Sequence, residues 1–456
     1  MHAYTVQASS SINMDAKLSI TFILFSATIQ LLAFTNAIAL DHCASEPLHL
    51  DVALIPIYSK CSPFQLPSAR SWLDTLMIMA STDSQRLHYL SSLLPKKRST
   101  SVPIASGLAF NIGNYVVRVK LGTPGQLMFM VLDTSSDEAW VPCSGCTGCS
   151  AAVTFSPKAS ATYRSLDCSV PQCSQVRGFS CPDAGSDPCS FNHSYAGSSF
   201  SATLVQDSLG LASDIIPNYA FGCVNNVAGG PLPSQGLLGL GRGPLSLFSQ
   251  SAGSLYRGVF SYCLPSFKSY FFSGSLKLGP RGQPKRIRTT PLLRNPRRPS
   301  LYYVNLTGVS VGRVHVGLPS ELLSFNPNTG AGTIIDSGTV ITRFVEPVYG
   351  AIRDEFRRQV KGPFSSLGAF DTCFVKSYET LAPTITLHFS GLELKLPLEN
   401  SFVHSSSGSL ACLAMAASPN NVNSVLNVIA NLQQQNLRIL FDTVNNKVGI
   451  ARELCN

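Results

Sequence analysis

The chain is poor in charge. Asp, Glu, Lys and Arg make up only 13% of its 456 residues, and no long run alternates in sign. That excludes a coiled coil or a helical bundle whose exposed faces depend on charged pairs. Beyond residue 39 no stretch is long and apolar enough to span a bilayer. The C-terminal Arg452-Glu-Leu-Cys-Asn456 offers no tail for a lipid anchor. Hydrophobic residues, at 45%, are ample for a large core, so wholesale disorder is excluded too. What is plentiful is turn-forming: 34 Gly and 29 Pro favour short strands joined by turns. The length suits two or three domains of mainly β structure.

The formal charge is +9, and residues 101–456 keep most of it, with 27 basic and 19 acidic side chains. Arg281, Lys285, Arg286, Arg288, Arg294, Arg297 and Arg298 crowd one short stretch. Interrupted by prolines, it reads as a solvated linker. A nucleic-acid or acidic-glycan patch is the sharper alternative, but no aromatic residues interleave with the charges.

Lys17, an apolar stretch from Leu18 and the ending Ala37-Ile-Ala39 describe a secretory signal cleaved after Ala39, with Met14 a candidate start. A retained anchor and a plastid transit peptide are the alternatives. Gln30 and the Ser/Thr content weigh against the first, and Asp15 and the compact apolar run against the second. Residues 40–100 hold two helix-like patches, 71–80 and 87–94, and end in Lys96-Lys97-Arg98, an accessible cleavage point. They read as a removable pro-segment, or as an extension that stays on.

Fourteen cysteines follow the signal. Two, Cys43 and Cys61, lie in the pro-segment. The remaining twelve are Cys143, Cys146, Cys149, Cys168, Cys173, Cys181, Cys189, Cys223, Cys263, Cys373, Cys412 and Cys455. An even number behind a secretory signal implies up to six disulfides. Residues 143–189 form a Cys-rich insert, and Cys373–Cys412 is a plausible pair; the other pairings are not readable. The spacing of Cys143, Cys146 and Cys149 also suits a zinc knuckle, although an oxidising route favours bridges.

The chain repeats one motif. Met130-Val-Leu-Asp133-Thr134-Ser135-Ser136 is matched by Ile334-Ile335-Asp336-Ser337-Gly338-Thr339, about one lobe later. A second echo joins Gln235–Arg242 to Asn427–Gln433, each about a hundred residues after its aspartate. Two duplicated lobes can bring strand-end aspartates together at a central cleft. Carboxylates a few ångströms apart cannot both ionise, so they share a proton. One then acts as base on a water and the other as acid to a carbonyl oxygen. The small residues Ser135 and Gly338 let backbone N–H groups approach. Ser136 and Thr339 can donate to the outer carboxylate oxygens, and Thr134 and Ser337 can lock the two loops together.

These residues resemble the pepsin-like aspartic proteases (family A1), over about 114–452. The likeness is strongest to the plant nucellin-like and chloroplast-nucleoid-protein-like group. It is carried also by Tyr115-Val-Val-Arg-Val-Lys-Leu-Gly-Thr-Pro, Trp140-Val-Pro-Cys143, Phe221-Gly-Cys223, Phe260-Ser-Tyr-Cys263 and Gln433-Gln-Gln-Asn436. The resemblance implies an all-β, bilobal fold with the cleft between an N-terminal lobe (101–290) and a C-terminal lobe (291–456). It implies hydrolysis of internal peptide bonds by Asp133 and Asp336, without metal or other cofactor. A flap hairpin would carry Tyr195 over the cleft, with Trp140 packed behind it and able to hydrogen-bond its hydroxyl. Three positions depart from the family pattern: Ser135 and Ala430 replace glycines, and Ala196 follows the flap tyrosine directly.

The expectation is a secreted endopeptidase made as a zymogen, acting in the apoplast or cell wall, with vacuole or plastid as alternatives. Its partner would be an extended peptide or unfolded protein, the mature chain a monomer off the membrane. The sequons at Asn192 and Asn305 permit N-glycosylation, Asn305 being the better placed. The alternatives are a pepsin-fold binding or inhibitor protein with a degraded dyad, and a plastid protease that also binds DNA. Retention of both aspartates argues against the former, while Ser135 keeps it open; the latter is suggested by the nucleoid-protein likeness, with the basic stretch 281–298 as weak support.

Overall fold

The computed structural model describes residues 51–56, 71–92 and, short gaps aside, 114–455. The signal, Met14, Cys43, Cys61 and the Lys96–Arg98 site lie outside the described residues.

The architecture is mainly β and bilobal, and its two halves repeat one strand arrangement. In the first, Gln126–Asp133 pairs antiparallel with Tyr115–Leu121 and parallel with Leu237–Gly239, setting Gly239 opposite Asp133. In the second, Gly332–Ile335 pairs antiparallel with Tyr303–Val304 and parallel with Leu426–Ile429, setting Ile429 opposite Ile335. The second sequence echo is therefore the parallel partner of each aspartate strand. These strands are apolar on both sides because both faces are covered: Val131, Leu132, Ile334 and Ile335 are all buried. Beyond each aspartate the chain re-enters the sheet, through Trp140–Thr147 and Thr342–Phe344. Trp140 meets Leu237 and Arg343 meets Val428, so Arg343 is the second-half counterpart of Trp140.

The two helix-like patches of residues 71–94 are one helix, Trp72–Ser92. Its start is fixed by a reciprocal cap, Ser71 Oγ accepting from the Asp74 amide and Asp74 Oδ2 accepting from that of Ser71. Leu73, Leu76, Ala80, Asp83, Leu87 and Leu90 form its buried stripe, at alternating spacings of three and four. A carboxylate thus stands in an otherwise apolar row. Ahead of the helix, Asp51–Pro56 adds a strand between Gly274–Leu278 and Tyr115–Leu121.

The sequence has few helical patterns, the clearest being Val345–Val360, and the structure forms the helix Glu346–Gln359 there. Pro347 opens it, Glu346 and Arg357 and Arg358 complement its dipole, and Val348, Tyr349, Ile352 and Phe356 face the core. The basic stretch is not a linker. Arg288–Leu293 is a strand paired with Lys447–Arg452, and it straddles residue 290. Lys285, Arg286, Arg288, Arg294 and Arg297 remain exposed because they lie beside or alternate with its buried positions.

All twelve cysteines after residue 140 are bridged: 143–223, 146–149, 168–181, 173–189, 263–455 and 373–412. The zinc-knuckle alternative falls with this pairing, since Cys143, Cys146 and Cys149 have no thiolate left to offer a metal. Cys168, Cys173 and Cys181 do lie close together, but each belongs to a bridge.

Candidate active site

Asp133 and Asp336 end equivalent strands and meet at the junction of the two halves, both fully buried. The loops after them are cross-tied. The Thr134 amide donates to Ser337 Oγ (3.2 Å), the Ser337 amide to Thr134 Oγ1 (3.0 Å), and Ser337 Oγ to the Leu132 carbonyl (3.0 Å). Each carboxylate is then gripped in the same way. Ser136 Oγ donates to Asp133 Oδ2 at 2.8 Å and Thr339 Oγ1 to Asp336 Oδ2 at 2.6 Å. The Ser135 and Gly338 amides serve the Oδ1 atoms at 2.8 and 2.9 Å.

The glycine replacements have separate physical answers. Ser135 Oγ turns onto Asp133 Oδ1 (2.8 Å), adding a donor that Gly338 cannot give Asp336. Gly338 has no such freedom, because a Cβ there would stand 2.5 Å from Asp133 Oδ1. Ala430 sits at the level of Asp336, its amide donating to Thr342 Oγ1. At the counterpart Gly239 a Cβ would meet the Asp137 carbonyl oxygen at 2.2 Å. The loop through Asp137 makes the first half the tighter one. Asp137 itself accepts from the Gly243 amide and from Ser300 Oγ, and burial pushes its carboxyl up to about 6.

Between the aspartates lies a group that the sequence reading missed. Arg86, from the helix Trp72–Ser92, donates through Nη2 to Asp133 Oδ1 at 2.7 Å, and its Nε is 3.7 Å from Asp336 Oδ2. The guanidinium is 2% exposed. Burial opposes its charge, but the two carboxylates outweigh that and hold it more firmly protonated than an ordinary arginine. Burial also raises the Asp336 carboxyl; Arg86 pulls it down and the charge of Asp133 pushes it up. One turn earlier, Asp83 accepts from the amides of Val340 (3.2 Å) and Ile341 (2.7 Å). The readable signal was Asp83 in the buried stripe of a helix that also carries Arg86.

The hairpin of Ser190–Tyr195 and Ser198–Leu211 brings Tyr195 over the pair. The Arg86 guanidinium lies 5.2 Å from the centre of the Tyr195 ring, and Trp140 meets that ring edge-on at 5.7 Å. The hydroxyl accepts from Asn114 Nδ2 (3.3 Å), which also donates to the Gly338 carbonyl. Asn114 thus takes the bonding place expected of Trp140. Gln85 packs under the hairpin tip, where a Cβ on Gly197 would overlap it. Of the sequons, Asn192 is exposed on the hairpin and Asn305 half-buried at a strand edge.

Paired strand-end carboxylates gripped by serine and threonine hydroxyls, under a tyrosine hairpin, in a bilobal β fold, place the chain in the aspartic-protease class. Residues 115–280 and 301–452 match the families described as xylanase inhibitor N-terminal and xylanase inhibitor C-terminal. The chain is 61% identical over 450 residues to Aspartyl protease AED3 of Arabidopsis thaliana, covering 97% of this chain and 100% of that one. It is 52% identical over 409 residues to Aspartyl protease 25 of Oryza sativa subsp. japonica (86% and 93% covered). Aspartic proteinase nepenthesin-1 of Nepenthes gracilis is 35% identical over 387 residues (82% and 84%). The chain belongs to the pepsin-like aspartyl protease family. Among solved structures, edgp superposes with a TM-score of 0.60 at 22% identity, covering 75% of this chain and 92% of that one. Basic 7S globulin from soybean gives 0.58 at 21%, covering 74% and 93%. These two share the fold.

Proposed function

We propose that the chain is a secreted aspartic endopeptidase made as a zymogen, with Asp133 and Asp336 as its catalytic pair. One observation carries the reading: a buried arginine from residues 40–100 stands between two carboxylates that are otherwise set for chemistry. In the processed protein the helix Trp72–Ser92 would leave, and a water would take the place of the guanidinium. The pair then holds one proton between two carboxyls. The ionised member removes a proton from the water as it attacks the peptide carbonyl carbon. The protonated member gives its proton to the carbonyl oxygen, so the tetrahedral intermediate is a neutral gem-diol. The proton taken from water then passes to the amide nitrogen as the C–N bond breaks, and a gem-diol hydroxyl returns a proton to the pair, leaving an acid and an amine. Tyr195 and its hairpin would close over the peptide, whose extended backbone pairs with strand edges.

The experiment is cleavage of a denatured protein across pH 3–7 by the processed protein. Asp133→Asn, a pepstatin-treated sample and the unprocessed chain run beside it. We expect acid-dependent cleavage by the processed protein, abolished in all three others. A folded, processed protein that cleaves nothing at any pH moves the reading to a pepsin-fold binding protein, which the match to xylanase inhibitor families also suits.

A further inference from the structure

The second half carries a separate four-stranded sheet, in which Val314–His315, Leu306–Val311, Ile385–Phe389 and Leu392–Lys395 lie side by side, all antiparallel. Alternation gives it two faces. Val309, Val311, Ile385, Leu387, Leu392 and Leu394 are buried on one. The other carries Ser310, His315, His388 and Glu393, and three devices bring these side chains together. The Val316 amide donates to the Val309 carbonyl, so the next pair, Ser310 with His315, is the non-hydrogen-bonded kind whose side chains stand closer. Gly308 lies opposite His388, and a Cβ there would stand 2.4 Å from His315 Cε1, so this glycine lets one imidazole lie beside the other. Glu393, opposite His388, accepts from its Nδ1 at 3.2 Å. A carboxylate on Nδ1 leaves Nε2 as the lone-pair nitrogen of that ring. His388 Nε2 is 2.7 Å from Ser310 Oγ, and His315 Nδ1 is 3.4 Å from the same oxygen. The two ring centres are 5.3 Å apart. Two imidazoles on one tetrahedral zinc, with Zn–N of about 2.0 Å, stand roughly 5 Å apart between ring centres.

We propose that His315 and His388 bind a divalent transition-metal cation, Zn2+ or Cu2+, beside Ser310, with Glu393 as the outer carboxylate that orients His388. Ser310 and water complete the coordination. The ion clips the hairpin of residues 306–315 to the strand Ile385–Phe389. It takes no part in the chemistry of the aspartates, so the inference does not depend on the protease reading. Ser310, His388 and Glu393 also follow the order of a hydrolase triad. A triad needs free backbone donors for an oxyanion, however, and Ser310 lies on a strand that is paired on both sides.

The test is calorimetry of Zn2+ added to the purified protein near neutral pH, with any free thiol blocked by N-ethylmaleimide. Half the ligand set of a structural zinc site places Kd in roughly the 1–200 µM range, and we expect one ion per chain. His315→Ala and His388→Ala should each weaken binding at least about tenfold, the least that even outer partners of a metal cost. Glu393→Gln should weaken it by about threefold to tenfold, because that carboxylate is 70% exposed. His404→Ala, whose ring bonds to Glu379 in a different sheet, should bind zinc like the parent. His315 is exposed, so its variant keeps the fold and decides the matter even where His388→Ala does not fold. Copper(II) in place of zinc should show paramagnetic coupling to two imidazole nitrogens, falling to one in His315→Ala. Zinc held equally by the parent and His315→Ala overturns the site. So does a parent that binds none up to about 1 mM.

Discussion

At the scale of single residues, the two aspartate loops are related but not equivalent. Ser135 and Gly338 hold matching places, yet Ser135 carries a side chain that donates to Asp133, whereas a Cβ on Gly338 would press on the same carboxylate at 2.5 Å. Gly338 cannot retreat, because Ser337 beside it is tied to Thr134 and Leu132. Gly338→Ala therefore has to move the Asp133 carboxylate. A displacement approaching an ångström at the reacting groups costs on the order of a hundredfold, and kcat/KM of the processed variant should fall by about that much. Ser135→Gly only removes one of three donors from Asp133 and should stay within about tenfold of the parent. Parent-like activity in Gly338→Ala would show that the loops are looser than their bonding implies.

At the scale of elements, the helix Trp72–Ser92 carries two groups with opposite responses to pH. The Arg86 contact needs ionised carboxylates, so acid weakens it. Asp83 behaves in the other sense. Burial drives its carboxyl up to about 6; Arg343 and the Ile341 and Val340 amides oppose that rise, and Asp336 adds to it. A value raised above the ordinary carboxylate range means that its contribution to docking is complete below about pH 4 and is lost as pH climbs through 6. Near pH 7 the cost of keeping Asp83 charged and buried is on the order of 3 kcal/mol. Asp83→Asn removes that cost but leaves one oxygen for two amides, a loss of about 1 kcal/mol. The unprocessed variant should hold its helix more tightly than the parent at pH 7 and slightly less tightly at pH 4. Hydrogen exchange of the helix amides reads this directly. Looser binding at both pH values would mean that the hydrogen bonds, not burial, govern Asp83.

The same helix marks what the sequence could and could not reveal. Asp133 and Asp336 were legible because their motif is local, repeated and preceded by apolar strands that only a doubly covered sheet explains. The helix Glu346–Gln359 was legible because its buried positions keep one face. Arg86 was not, because one arginine on a helix is ordinary until the fold aims it. Its neighbour Asp83 was the available clue, a carboxylate at an apolar position. Reading residues 71–80 and 87–94 as separate patches broke the stripe at that residue. The basic stretch misled for the opposite reason: charges and prolines suggest a linker, while alternate residues Thr290 and Leu292 are buried in a strand.

At the scale of the whole molecule, distant parts of the chain are held by long-range links that spacing could not disclose. Cys143 pairs with Cys223 across 80 positions and Cys263 with Cys455 across 192, whereas Cys373–Cys412 joins directly paired strands. The 263–455 bridge matters most for the overall assembly. It fastens the C-terminus to the strand Val259–Cys263, which pairs with Leu437–Asp442, so the bridge closes almost the entire second half into one loop. Cross-linking a loop of that size restricts the unfolded chain far more than the folded one. Replacing both cysteines with serine avoids leaving a free thiol and should destabilise the protein by about 2–5 kcal/mol. Thermal unfolding should then fall by several degrees. Replacing Cys146 and Cys149, which close a loop of only three residues at an exposed turn, should lower it far less. Equal losses for the two double variants would mean that local strain, rather than chain entropy, sets what these bridges contribute.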